Sequence, residues 1–199
     1  YMIPADGGPS LDGHRETTYA VLHSTAPFYS VLIRVNPDNP SSTTDFMCDL
    51  CAEMPKPTDN GLTYTFKIRK GVKFHDGTAF NADAVKFNFD RIVDPKFKAG
   101  GSRAALGSYA GSKVLDEFTV QVLFETPYSP FLNSVASGVL SIVSPKAVRD
   151  SGDLVHTRPV GTGPFMMKDY VAKDHATMIR FPGYARKAPW SDRSGPALL

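Results

Sequence analysis

Asp59-Asn60-Gly61-Leu62-Thr63-Tyr64-Thr65-Phe66-Lys67-Ile68-Arg69-Lys70-Gly71-Val72-Lys73-Phe74-His75-Asp76-Gly77-Thr78 is the stretch on which the fold reading turns. Asp59-Asn60-Gly61 has the chemistry of a tight turn. Tyr64, Phe66 and Ile68 then alternate with Thr65, Lys67 and Arg69, the period of two that a half-buried strand requires. Lys70-Gly71 turns the chain, Val72 and Phe74 resume the alternation, and His75-Asp76-Gly77-Thr78 turns it again. The expectation is a strand, turn, strand, turn unit.

Downstream, Asn81 can cap a helix whose first turn carries Asp83, favourable to the dipole, and whose buried stripe is Val85, Phe89 and Ile92. Asp94-Pro95 ends it. Residues 99–112, rich in Gly, Ser and Ala, are expected to be irregular. After the Asp116-Glu117 turn, Val120, Val122 and Phe124 alternate as a strand, and Pro130 opens a short helix through Phe131 and Val135. Ser144-Pro145 supplies an N-cap and a first-turn proline for a helix that Gly152 can stop. Gly161-Thr162-Gly163-Pro164 makes a sharp turn into Phe165-Met166-Met167. Tyr170-Val171 and Met178 to Phe181 form a hairpin around Lys173-Asp174-His175.

Upstream, Tyr19, Leu22 and His23 followed by Val31, Leu32, Ile33 and Val35 suggest a short helix running into a strand, punctuated by Pro27 and Pro37. Residues 38–60, with Pro40-Ser41-Ser42-Thr43-Thr44 in a row, read as surface loop. No internal repeat is apparent. The sum is a mixed α+β domain, strand-heavy with short helices, in one or two small layers.

The chain has 199 residues, 42% hydrophobic and 21% charged, which is ordinary for a globular chain that can bury a core. Its 22 Lys and Arg against 20 Asp and Glu leave a formal charge of +2, too little for a phosphate-backbone footprint, so no nucleic acid partner is expected. No apolar run approaches the roughly 18 residues that cross a bilayer, and no signal peptide is recognisable at Tyr1-Met2. Both ends look cut from a longer sequence.

Cys48-Asp49-Leu50-Cys51 could be a redox pair, half of a zinc site or a small local disulfide. Zinc would need two further ligands, and His14, His23, His75, His156 and His175 are scattered without a completing pattern, so no metal site and no cofactor are expected. Met54-Pro55-Lys56-Pro57 breaks any helix behind the motif, against a thioredoxin-like arrangement. A structural or incidental pair is favoured. His75 and Asp76 invite a catalytic reading, but turn chemistry accounts for them and no nucleophile is placed beside them. Lys67, Arg69, Lys70 and Lys73 read as the solvated face of the strands.

The stretch from Asp59 to Thr78 closely resembles the signature of the family 5 extracellular solute-binding proteins, the peptide/nickel type that serves ABC importers. Asn81-Ala82-Asp83-Ala84-Val85-Lys86-Phe87-Asn88-Phe89-Asp90-Arg91 resembles the helix that follows in that family, and Pro159-Val160-Gly161-Thr162-Gly163-Pro164-Phe165 resembles a second signature. Weaker matches are Pro9-Ser10-Leu11-Asp12, Val114 to Val120 and Ser144-Pro145-Lys146. The chain departs from the family's pattern where a Trp usually follows Ala52-Glu53 and where Tyr-Trp is usual but Tyr184-Ala185 stands. The CxxC is not a family feature.

The resemblance implies the first lobe of a periplasmic-binding-protein-like, type II, cluster C, two-lobe fold, with residues 1–199 forming one partial domain and the second lobe absent. It implies a protein located in the periplasm or otherwise outside the cytoplasm that captures a peptide or other small organic solute between lobes and delivers it to ABC permease membrane subunits, without enzymatic turnover. The cleft wall would come from Thr17, Thr18 and Tyr19 and from Ser134, Val135, Ala136, Ser137 and Gly138 on toward Leu140. Against that stands a plainer reading, in which Tyr19 anchors the core and Thr17-Thr18 start a helix. The exposed inter-lobe face would favour self-association. The rival functions are a chaperone-like or protein-interaction module and a CxxC thiol-redox enzyme.

Overall fold

The computed structural model describes residues 10–15, 17–39, 41–171 and 174–184. Pro9, Pro40, Lys173, Ala185 and both chain ends, which figure in the readings above, lie outside the described residues. Along the chain run α1 (Tyr19–Thr25), β1 (Ile33–Val35), β2 (Phe46–Cys48), β3 (Pro57–Thr58), β4 (Thr63–Lys67), α2 (Ala82–Val93), α3 (Gly101–Ala105), β5 (Tyr109–Asp116), β6 (Thr119–Phe124), α4 (Phe131–Val135), α5 (Pro145–Ser151), β7 (Phe165–Val171) and β8 (His175–Arg180). A 3-10 turn, Gly138–Leu140, follows α4. The strands form three antiparallel sheets: β1 with β2, the order β3-β4-β6-β5, and β7 with β8. This is the α+β class read from the sequence.

β4 and β6 carry the core. Their register sets Tyr64 opposite Val122 and Phe66 opposite Val120, so the apolar residues of both alternations fall on one face. α2 lies over that sheet with Val85, Phe89 and Ile92 fully buried, each worth about 1.5–3 kcal/mol on transfer from water. Asn81 accepts a hydrogen bond from the Ala84 N–H at 3.0 Å, fixing the start of the helix, and Asp94 ends it. Phe131 of α4 closes the layer, its ring 4.8 Å from Tyr64 and 6.1 Å from Phe66.

Three local expectations fail, each for a tertiary reason. Val72 and Phe74 do not extend a second strand. The turn at His75–Gly77 folds the chain onto itself, with Phe74 N–H donating to Thr78 O and Phe80 N–H to Val72 O, both at 2.9 Å. Phe74 and Phe80 then enter the core edge to face, leaving only an isolated Lys73 to Ala79 bridge. Residues 99–112 are not irregular, because Ala99, Ser102 and Leu106 are buried around α3, and the edge of β6 recruits Gly111 and Ser112 into β5 despite their low strand preference. The loop read over 38–60 contains β2 and β3, and Leu50 and Cys51 are fully buried core residues. The hairpin at the end forms, with His175 already inside β8.

Candidate functional site

Two places gather polar side chains below the surface. The first is a seam where the singled-out motifs meet one another. Asp12, from the weak N-terminal match, pairs with Arg91 at the far end of α2, whose second guanidinium nitrogen reaches the other carboxylate oxygen at 3.1 Å. His14, fully buried, accepts from Arg91 at Nδ1 (2.9 Å) and donates from Nε2 to Ser141 O (2.6 Å), which defines a neutral imidazole. Burial and the neighbouring guanidinium push its pKa down to about 4, although Asp12 pulls the other way. For Asp12 burial alone would raise the pKa, but the bond and charge of Arg91 and the His14 contacts hold it below the ordinary value. Asn88, also buried, brackets Val143 by accepting its N–H and donating to its carbonyl, both at 2.9 Å.

The two strongest motifs dock directly. His75 accepts the Gly161 N–H at Nδ1 (3.3 Å), donates from Nε2 to Gly163 O (3.0 Å), and its own N–H donates to Gly161 O (2.9 Å). Asp76 accepts from Thr78 within its turn and from the Ser144 hydroxyl, while Ser144 caps α5 by accepting from Ala147 N–H at 3.2 Å. Gly161 and Gly163 are required by close approach: an added Cβ would lie 2.3 Å from Phe28 O and 2.4 Å from Pro27 O. His75, Asp76 and the Gly161–Gly163 turn are therefore bonded to one another and to Ser144 as parts of the architecture.

The second place is a groove of about 300 Å³ between α1, the loop into β1 and the 136–141 segment, at the small end of solute-site volumes. Its apolar wall is Leu22 and Ala136, and an added Cβ on Gly138 would meet Leu22 Cδ2 at 3.4 Å. His23, Arg34 and Asp49 supply its polar groups. Tyr29 closes the inner end, its hydroxyl donating to Leu11 O at 3.0 Å and kept protonated by burial, which raises its pKa well above the ordinary value. Of the residues expected from resemblance, Ala136 and Gly138 line this groove, while Ser134 and Ser137 stand half-buried beside it and Val135 is a core residue.

Thr17, Thr18 and Tyr19 are exposed at the start of α1 and do not line the groove. Thr18 occupies the N-cap position without a side-chain cap bond. Tyr19 is 77% exposed, its ring 3.9 Å from His23, so the core-anchor reading of Tyr19 is overturned. Sequence reasoning missed His23, Arg34 and Asp49. His23 was legible as one helical turn beyond Tyr19, and Arg34 as the residue alternating with buried Ile33. Cys48 and Cys51 form a disulfide, with Asp49 inside its loop.

A larger, outward groove of about 560 Å³ lies between Arg15, Phe87, Phe97 and Arg149. Its ring faces are already taken by cations, Arg91 3.7 Å above Phe97 and Arg149 5.4 Å from Phe87. No helix among the described residues is long and apolar enough to cross a membrane.

The sequence pattern of the bacterial extracellular solute-binding proteins, family 5 Middle, matches residues 47–194. The glutathione-binding protein GsiB of Escherichia coli O1:K1 is 38% identical over 137 residues, 68% of this chain and 26% of that protein. The GsiB of Pectobacterium atrosepticum is 38% identical over 128 residues. Among solved structures, the solute-binding protein MoaA of A. tumefaciens R10 in complex with mannopinic acid superposes with a TM-score of 0.79 at 27% identity, over 90% of this chain and 36% of that one. The ABC transporter-associated periplasmic binding protein DppA of Helicobacter pylori, in complex with the peptide STSA, gives 0.77 at 25% identity, over 95% and 39%. The chain thus spans about a quarter of the curated relatives it matches, which are solute-binding proteins rather than enzymes, and its fold is that of type II periplasmic binding proteins. With its motifs docked as the seam and its family pattern running over three sheets, the chain belongs to the bacterial extracellular solute-binding proteins of family 5.

Proposed function

We propose that this chain supplies one wall of a solute-binding cleft of an ABC importer, outside the cytoplasmic membrane, and that the groove beside α1 holds part of a peptide or other small organic solute. The observation that carries this reading is the convergence of α1 with Ala136 and Gly138, distant in sequence, on one groove with His23, Arg34 and Asp49. Residues 1–199 then act as a single partial domain, and a facing lobe completes the site and presents the loaded protein to the permease subunits. The relatives' ligands, glutathione, the peptide STSA and mannopinic acid, are small polar solutes for which a cation and a carboxylate in a groove are suitable partners.

Thermal-shift and native mass spectrometry screens of the chain against dipeptides, tripeptides, glutathione and sugar–amino acid conjugates test this reading. A shift with one class and a stoichiometric complex support it. Absence of any shift across the panel, or turnover of any member, overturns it. Val171, Met178 and Ile179 expose apolar surface on β7 and β8, which supports association of the chain with a second copy. Light scattering that shows a monodisperse monomer at high concentration contradicts that association.

A further inference from the structure

The Cys48–Cys51 disulfide encloses Asp49, a residue of the groove wall. Cys48 ends β2, paired with Ile33 of β1, and the fully buried Cys51 bridges Ile68 just beyond β4, so the bond ties the small sheet to the large one. Within this loop the N–H groups of Asp49, Leu50 and Cys51 all converge on Leu32 O, at 3.1, 3.1 and 3.0 Å. A carbonyl oxygen has two lone pairs, so the three donors share one acceptor, and Leu50 N–H divides itself between Leu32 O and Val31 O. Ring closure by the disulfide adds a covalent restraint to these shared bonds.

The turn serves the groove through two contacts. Asp49 Oδ2 accepts the N–H of Val31, itself a groove residue, at 3.3 Å, and Leu50 N–H donates to Val31 O at 3.1 Å. From the other side Arg69 holds the loop, Nε donating to Asp49 O at 2.8 Å and its N–H to Leu50 O at 2.9 Å. Arg69 is thus more than the solvated cation expected from the sequence.

We infer that the Cys48–Cys51 disulfide is a positioning element of the solute groove, holding Asp49 against Val31, and that solute binding by this wall weakens when the disulfide is reduced. The inference rests on the groove being the solute site. A dithiol supplies the two electrons: its thiolate attacks the half-buried Cys48 sulfur, Cys51 leaves as a thiolate and is protonated, and the second thiol of the reductant closes a cyclic disulfide, releasing Cys48 as a thiol.

The test compares the oxidised chain, the chain reduced with dithiothreitol and the Cys48→Ala/Cys51→Ala variant, by amide hydrogen exchange and by titration with S-methylglutathione, a tripeptide without a free thiol. Exchange at Val31, Asp49, Leu50 and Cys51 is expected to rise at least about tenfold on reduction, while Val120 and Val122 in β6 change by less than about twofold. Affinity for S-methylglutathione is expected to fall about tenfold in both thiol-free and reduced forms, and Asp49→Asn is expected to weaken binding with exchange unchanged. Unchanged exchange at the four loop amides overturns the inference, and so does an equal rise in β6, which makes the disulfide a staple of the whole fold. Failure of the oxidised chain to bind S-methylglutathione while the loop alone loosens on reduction counts against this solute at the groove and leaves the positioning of Asp49 supported.

Discussion

The seam and the groove meet at Ser141, whose carbonyl is held by His14 and which also lines the groove, yet they are built in opposite ways. In the seam directed bonds join fixed groups: Asp12 to Arg91, Asn88 to both sides of Val143, His75 to both ends of the Gly161–Gly163 turn. In the groove the polar side chains His23, Arg34 and Asp49 come from three different elements and line a space. The sequence signature of the family is concentrated in the first region. The contrast teaches that such a signature records how the chain is assembled, whereas the groove residues His23, Arg34 and Asp49 lie outside it.

Breaking the seam should cost folding. Arg91→Ala leaves the buried Asp12 carboxylate with only the longer 3.6 Å contact to Arg15, and a loss of about 3 kcal/mol is expected in urea denaturation. His14 offers the same test through pH. Its pKa is lowered from 6.5 to about 4 on folding, so the unfolded chain takes up a proton that the folded chain refuses. The resulting stability, about 3 kcal/mol, is present in full above pH 6.5 and disappears as pH falls toward 4. The lowered pKa of Asp12 acts in the same direction at still lower pH. A His14→Gln variant, measured by thermal unfolding across that range, should show a flatter pH dependence. Gly161→Ala drives a methyl into Phe28 O and is expected to cost about 2–3 kcal/mol in the same measurement. Tyr19→Ala should move stability by less than about 0.5 kcal/mol while weakening solute binding through the groove residue His23, because the ring is exposed and lies beside that imidazole. A large loss of stability for Tyr19→Ala, or none for Arg91→Ala, would erase the distinction between the two regions.

What was legible from the chain follows the same division. β4, β6, α2 and α5 are written locally, in the alternation around Phe66 and Val120, the stripe of Val85, Phe89 and Ile92, and the caps Asn81 and Ser144. β2, α3 and the Gly111 end of β5 depend on partners that arrive from elsewhere, so composition pointed to loops. The site was half legible. Resemblance brought Thr17, Thr18, Tyr19 and residues 134–138 forward, and of these Ala136 and Gly138 line the groove. The side of α1 that faces outward could not be deduced from a seven-residue helix with apolar residues on more than one face, which is why Tyr19 read as an anchor. Asp49 was hidden inside a cysteine motif whose chemistry drew attention to its ends.

The most direct test is residue-resolved: amide chemical-shift mapping by two-dimensional NMR while the chain is titrated with S-methylglutathione and a panel of di- and tripeptides. Shifts confined to residues 22–26, 31–34, 49 and 136–141, with Gly161 and Gly163 unmoved, are the predicted result. Shifts centred on His75 and the Gly161–Gly163 turn, with the groove silent, would contradict it.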